Sequence, residues 1–248
     1  MKSPKLAGVL LLMVLAWCAQ MSPPTAAETP AESADSGSDA APVADEKQDK
    51  AALPPQSLSE EMLFDFLMGE IGLQRRRADI ANGAYTHLLK LTRDPRVARR
   101  ATEIGLVTGN TKGAIDGAKQ WSESDPASIQ ARHMLVALLL KEGRYDEAGP
   151  VVQQVFAALP NQIPQIWLEL HDLMIKQNDR EGVLTFSQTL AEPYPLVAEA
   201  HFTVGSLAWR AGHYDLALQE IESAERLRPD WEIAALFHTQ ILQRTSMD

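Results

Sequence analysis

Glu169, His171 and Asp172 come closest to a catalytic or metal-ligating cluster in this chain, since a carboxylate can orient an imidazole for base or ligand duty. Neighbouring residues of a helix point to different faces, so the trio has the wrong spacing for either role. The six histidines are otherwise scattered. The chain has no HExxH, no GxSxG, no phosphate loop, no GxGxxG ahead of a helix and no second cysteine beside Cys18. Gly105, Gly109 and Gly113 form a glycine series at a helix and its turn, without the Lys-Ser/Thr that would hold a phosphate. These absences predict a protein that is not an enzyme and carries no cofactor or metal. Binding chemistry is left, and the elements that present it must be read from the rest of the chain.

The formal net charge of −10 disfavours nucleic acid as a partner. Arg75, Arg76, Arg77, Arg93, Arg96, Arg99 and Arg100 form one local basic exception, read as a solvated face or as a surface for an acidic partner. At the start, Lys2 and Lys5 precede an apolar run from Leu6 to Trp17, too short to span a bilayer and suited to a secretory signal. Two processing routes are open, cleavage after Ala27 or lipid attachment at Cys18. From Ser22 to Ser57 the composition turns to Pro, Ala, Ser and acids. Glu28, Glu32, Asp35, Asp39, Asp45, Glu46 and Asp49 stand against Lys47 and Lys50, a balance of −5. So few large apolar residues cannot offset the entropy of ordering the chain, which predicts a signal over 1–27, a disordered acidic linker over 28–57 and a folded domain over 58–248.

Helical periodicity runs from Ser59 almost to the end, with no alternating strand pattern, so the domain is expected to be all-α. Its best-defined unit is Ala198 to Asp230: two amphipathic helices joined at Ala211-Gly212-His213 and closed by Pro229. Gly212 supplies a positive φ, Asp215 is expected to cap the second helix, and Ala217 and Ala224 permit close approach. The markers Gly212, Ala217 and Pro229 recur 34 residues earlier as Asn178, Val183 and Pro195. They recur again as Gly143, Ala148 and Pro160, then as Gly109, Ala114 and Pro126. Pro95 closes a leading pair that lacks the turn glycine, with Met62, Leu63, Phe66, Leu67, Glu70 and Leu73 in its first helix. Ile80, Ala84, Leu88 and Leu91 mark the buried stripe of the second. A final helix, Trp231 to Arg244, has no partner and is read as a cap or as a dimer face. Trp167 is expected in the core, Trp121 stands where a small residue is usual, and Pro150 falls in the first turns of its helix if Asp146 is the cap.

With Gly205, Gly212, Tyr214, Ala217, Ala224 and Pro229 in one unit and Gly143, Tyr145, Ala148 and Pro160 in another, the chain resembles the tetratricopeptide repeat. The resemblance implies a superhelix of about five helix pairs plus a terminal helix, whose first helices line a concave groove for protein or peptide partners. Its lining positions fall on Arg96, Arg99, Glu103 and Leu106, then on His133, Ala137, Leu140 and Lys141. They continue as Leu168, Asp172, Ile175 and Lys176, and as Phe202, Ser206, Trp209 and Arg210. Phe202 and Trp209, seven apart, are expected to form an exposed aromatic pair with Arg210 at its rim.

The segments LPPQSLSEEMLFDFLMGEIGLQ and TRDPRVARRATEIGLVTGN resemble, more narrowly, exported repeat proteins of Gram-negative bacteria that include the outer-membrane lipoprotein partner of a carboxyl-terminal processing protease. That resemblance implies a non-enzymatic scaffold or adaptor in the periplasm, with outer-membrane anchoring if Cys18 is lipidated, holding a protease and its cell-wall hydrolase substrates. The alternative is an assembly factor for an outer-membrane or pilus secretion complex.

Overall fold

The computed structural model describes residues 58–245; the expectations for the leader, Cys18 and the acidic linker lie outside the described residues. Eleven helices run through them: α1 (Glu60–Gln74), α2 (Ala78–Leu91), α3 (Pro95–Thr108), α4 (Thr111–Ser124), α5 (Ile129–Lys141) and α6 (Tyr145–Ala158). After a 3-10 turn at Pro160–Gln162 come α7 (Ile163–Met174), α8 (Arg180–Ala191), α9 (Ala198–Ala211), α10 (Tyr214–Leu227) and α11 (Glu232–Thr245). They run as five consecutive helix pairs closed by α11, the order that the repeat spacing predicts; four of the pairs pack helix on helix, whereas α7 and α8 of the fourth barely touch and α8 packs on α9 and α6.

Four of the five pairs turn where the chain enters left-handed backbone, two residues before the second helix. Gly109, Gly143 and Gly212 sit there with φ of 75°, 69° and 93°. The leading pair, which has no turn glycine, places Arg76 in the same register at φ 57°. Asn178 does not follow the pattern: α7 and α8 are joined by five residues, and Asp179 caps α8 by accepting from Gly182 N. Ser59, Asp94, Asn110 and Ser128 cap their helices in the same way.

Two expected caps are corrected. Asp215 and Asp146 are the second residues of α10 and α6, whose N-caps are His213 and Arg144 and make no side-chain cap bond. Both acids therefore act on the positive end of the helix through their charge. Pro150 consequently stands sixth in α6, past the first turn, and leaves the Asp146 carbonyl without its helical donor.

Within pairs, the helices approach at small residues. A Cβ on Gly105 would stand 2.5 Å from Ala114 N, and one on Gly117 would stand 2.8 Å from Thr102 N, so α3 and α4 touch backbone to backbone. Ala114, Ala148, Val183 and Ala217, the second marker of each unit, are all buried, as is Ala224. Trp121 replaces that last alanine and fits because Ala98 and Ala131 face it. Trp167 is wholly buried against Phe156 and Tyr194, as expected.

The apolar core is uneven along the array. A large cluster runs from Ala114 in α4 to Ile241 in α11. A smaller one, of Ala81, Tyr85, Leu88, Ala101 and Ile104, serves the first pair and α3. The stripe of α2 is centred on Ala81, Tyr85 and Leu88, which leaves Leu91 exposed. In α1 the polarity is inverted. Gly69 and Gly72 are its buried residues, while Leu63, Phe64, Phe66, Leu67 and Ile71 are exposed. A glycine face fits here because the Tyr85 ring occupies the space that a side chain at 69 would need.

Candidate protein-binding groove

The first helices α5, α7 and α9 lie side by side. At the α7–α9 contact His171 Nε2 stands 3.0 Å from Ser206 Oγ, and Arg210 donates to the Met174 and Gln177 carbonyls at the end of α7. The face these helices share carries the residues singled out by the repeat register.

At the N-terminal end that face is already charge-paired. Arg96 donates to Asp94, the cap of its own helix, and Arg99 donates to Glu103 at 3.0 Å while its guanidinium lies 5.6 Å from the centre of the Trp121 ring. Arg100 bridges Glu70 of α1 and Glu103, both through contacts of 2.8–3.0 Å. The Arg100 guanidinium holds the Glu70 carboxyl below its ordinary range, and Tyr85 adds a hydroxyl donor at 2.6 Å. With Arg77 on Asp79 and Arg93 on Glu123, the basic cluster of the sequence is largely neutralised from within. Arg75 and Arg76 have no such partner among the described residues.

The middle of the face is open. Lys141 ends α5 and Lys176 follows α7, both exposed and without an ion-pair partner among the described residues. Leu168 and Asp172, one turn apart on α7, are exposed as well. His133 is half-buried with Nδ1 3.9 Å from Glu169, and Leu140, at a lining position, is fully buried core.

The C-terminal end corrects the expected aromatic site. Phe202 is 8% exposed, its ring 4.8 Å from Trp231 and 6.0 Å from Phe237, so α11 covers it. Trp209 packs on Tyr214 and Phe237. Arg210 is spent on the α7 carbonyls. Phe202, Trp209 and Arg210 are therefore joint residues between repeats; the candidate groove is carried by Arg96, Arg99, Glu103, His133, Lys141, Leu168, Asp172 and Lys176. The register gives the right helices, but at this end the bulk of Trp231 and Phe237 decides which lining positions stay open.

Sequence reasoning also missed the role of the histidines. His87 meets Asp65 at 2.6 Å, His201 meets Glu220 at 2.6 Å, His238 meets Glu225 at 2.7 Å and His213 meets Glu181 at 3.1 Å, each across a helix joint. Partners 13 to 32 positions apart leave no local pattern. Among the described residues no group of histidine, cysteine and acidic side chains is arranged to hold a metal ion, and no helix is long and apolar enough to cross a membrane.

No protein-family model matches the chain. A TPR repeat-containing protein of Pseudomonas aeruginosa is 29% identical over 205 residues, which cover 82% of this chain and 34% of that protein. The chain thus spans about a third of the length of the curated relative it matches. Among solved structures, MamA from Desulfovibrio magneticus is 17% identical, covering 71% of this chain and 99% of its own, with a TM-score of 0.39. YrrB, described as a TPR protein with an unusual peptide-binding site, is 17% identical, covering 72% and 90%, with a TM-score of 0.37.

Proposed function

Because the chain folds as a tetratricopeptide-repeat superhelix, we propose that it is a non-enzymatic adaptor that binds polypeptide partners along the open middle of its groove. The observation that carries this reading is the pair Lys141 and Lys176, one repeat apart, both exposed and unpaired among the described residues, with exposed Leu168 and Asp172 on the helix that Lys176 follows. Cations beside an exposed leucine suit a peptide with acidic and apolar side chains, since apolar anchors supply affinity and charges supply register.

The leader sequence supports export to the bacterial cell envelope, with Cys18 as the lipid site or Ala27 as the end of the signal. The likeness to exported repeat proteins supports a processing protease and its cell-wall hydrolase substrates as the partners. The test is affinity capture from envelope extract with the wild-type chain and with a Lys141→Glu, Lys176→Glu variant of unchanged helicity. Recovery of a processing protease by the wild type and its loss from the variant is the expected result. Secretion-complex components in its place point to the assembly-factor reading, and equal recovery by both proteins sinks the groove.

A further inference from the structure

Helix α1 exposes a stripe with an unusual composition. Glu60, Phe64, Leu67, Ile71 and the C-cap residue Arg75 follow one another at intervals of four, three, four and four residues, so they share one face of the helix. All five are exposed, with Phe64 at 63% and Leu67 at 50%. Leu63 widens the stripe on one side. The opposite face, Gly69 and Gly72, is the one turned to α2. A helix that buries its glycines and exposes its large apolar side chains is organised around something outside its own pair.

We propose that this stripe is a two-fold interface with a second copy of the chain, the two α1 helices running antiparallel. The charge pattern argues for a second copy. An acid at one end, a base at the other and apolar residues between make the stripe complementary to itself when reversed. Glu60 then faces Arg75 of the second copy, Phe64 faces its Ile71, and the two Leu67 side chains meet near the axis. Any residue and its opposite sum to about 135 in this register, which is the self-complementarity that an isologous contact requires. Arg75 is without an ion-pair partner among the described residues, and Glu60 likewise, so pairing them breaks no contact described within the chain. The interface is about 22 Å long, the length of a 15-residue helix. It is thus smaller than that of an obligate dimer and gives a concentration-dependent association. This assignment is independent of the groove reading, since none of its residues lies among the groove residues.

The experiment is sedimentation of the full chain over a hundredfold concentration range, with circular dichroism as the control for folding. A reversible dimer is expected. Leu67→Glu should leave helicity unchanged and weaken association at least tenfold. Glu60→Arg should weaken it as well, and adding Arg75→Glu to the same chain should restore it. In a Cys18→Ser background, Leu67→Cys should give an oxidised covalent dimer. A chain that stays monomeric throughout, a dimer indifferent to Leu67→Glu, or a charge reversal without restoration would each overturn the proposal.

Discussion

Trp209 and Phe237 meet edge to face, their ring centroids 6.1 Å apart and their planes at 77°, across the joint between the fifth helix pair and the closing helix. The contact makes Trp209 a residue of stability. Trp209→Ala is expected to cost about 2–4 kcal/mol, toward the lower part of the range for large-to-small core changes because the side chain is only partly buried. Thermal unfolding followed by circular dichroism measures it. Limited proteolysis should show α11 released first in the variant.

At the α3–α4 contact the prediction is steric. Gly105→Ala would set a methyl 2.5 Å from Ala114 N and 2.8 Å from Ala114 Cα, atoms of a rigid helix that cannot rotate away. The helices must separate, at a cost of about 1–3 kcal/mol. Gly83→Ala is the control: it meets nothing within 4 Å, and in urea titrations it should be neutral or slightly stabilising.

The turn register predicts opposite outcomes at equivalent positions. Gly212, at φ 93°, should lose about 1 kcal/mol on replacement by Ala, because a Cβ is disfavoured in left-handed backbone. Arg76 already bears that strain at φ 57°, and Arg76→Gly should gain up to about 1 kcal/mol, less the extra chain entropy of glycine in the unfolded state. Denaturant midpoints for the two variants should move in opposite directions.

His201 gives the fold a pH dependence. The Glu220 carboxylate at 2.6 Å, with the Pro195 carbonyl at 3.0 Å, raises its pKa above the ordinary imidazole value, against burial and the opposing charge of Arg226. A raised folded value means that the contribution is fully present below about pH 6.5 and is lost as pH rises through the folded pKa. His201→Gln should therefore destabilise most at pH 5–6 and least at pH 9. Half-buried His171, whose pKa desolvation lowers, works in the opposite sense, losing stability as pH falls below its unfolded value. Comparing the variant with wild type at each pH removes that background, and a pH-independent difference would contradict the assignment.

The register of the array was legible because it rests on local backbone demands: left-handed turns at Gly109, Gly143 and Gly212, and small or compact buried residues five positions later. The caps were less legible. Asp146 and Asp215 look like N-caps, but the helices start one residue before each of them, at Tyr145 and Tyr214. The groove was half legible. Lys141 and Lys176 are exposed as the register expects, whereas Phe202 is closed by Trp231, and nothing near Phe202 in the sequence announces that. In α1 the apolar spacing was plain, but its outward direction was not. Direction follows from Tyr85 filling the space beside Gly69, 16 residues away.

The small size of the apolar cluster that serves the first pair and α3, against the large one from α4 to α11, has a mechanical meaning. Stability in such an array is a sum of nearest-neighbour terms, so tension on the ends is borne in series and the weakest coupling yields first. The first pair couples to α3 through the small cluster of Ala81, Tyr85, Leu88, Ala101 and Ile104, a thin apolar contact supplemented by the polar clasp of Arg100 on Glu70. Ionic strength weakens the clasp and leaves the apolar contact around it untouched, so salt tunes the stiffness of this end of the molecule.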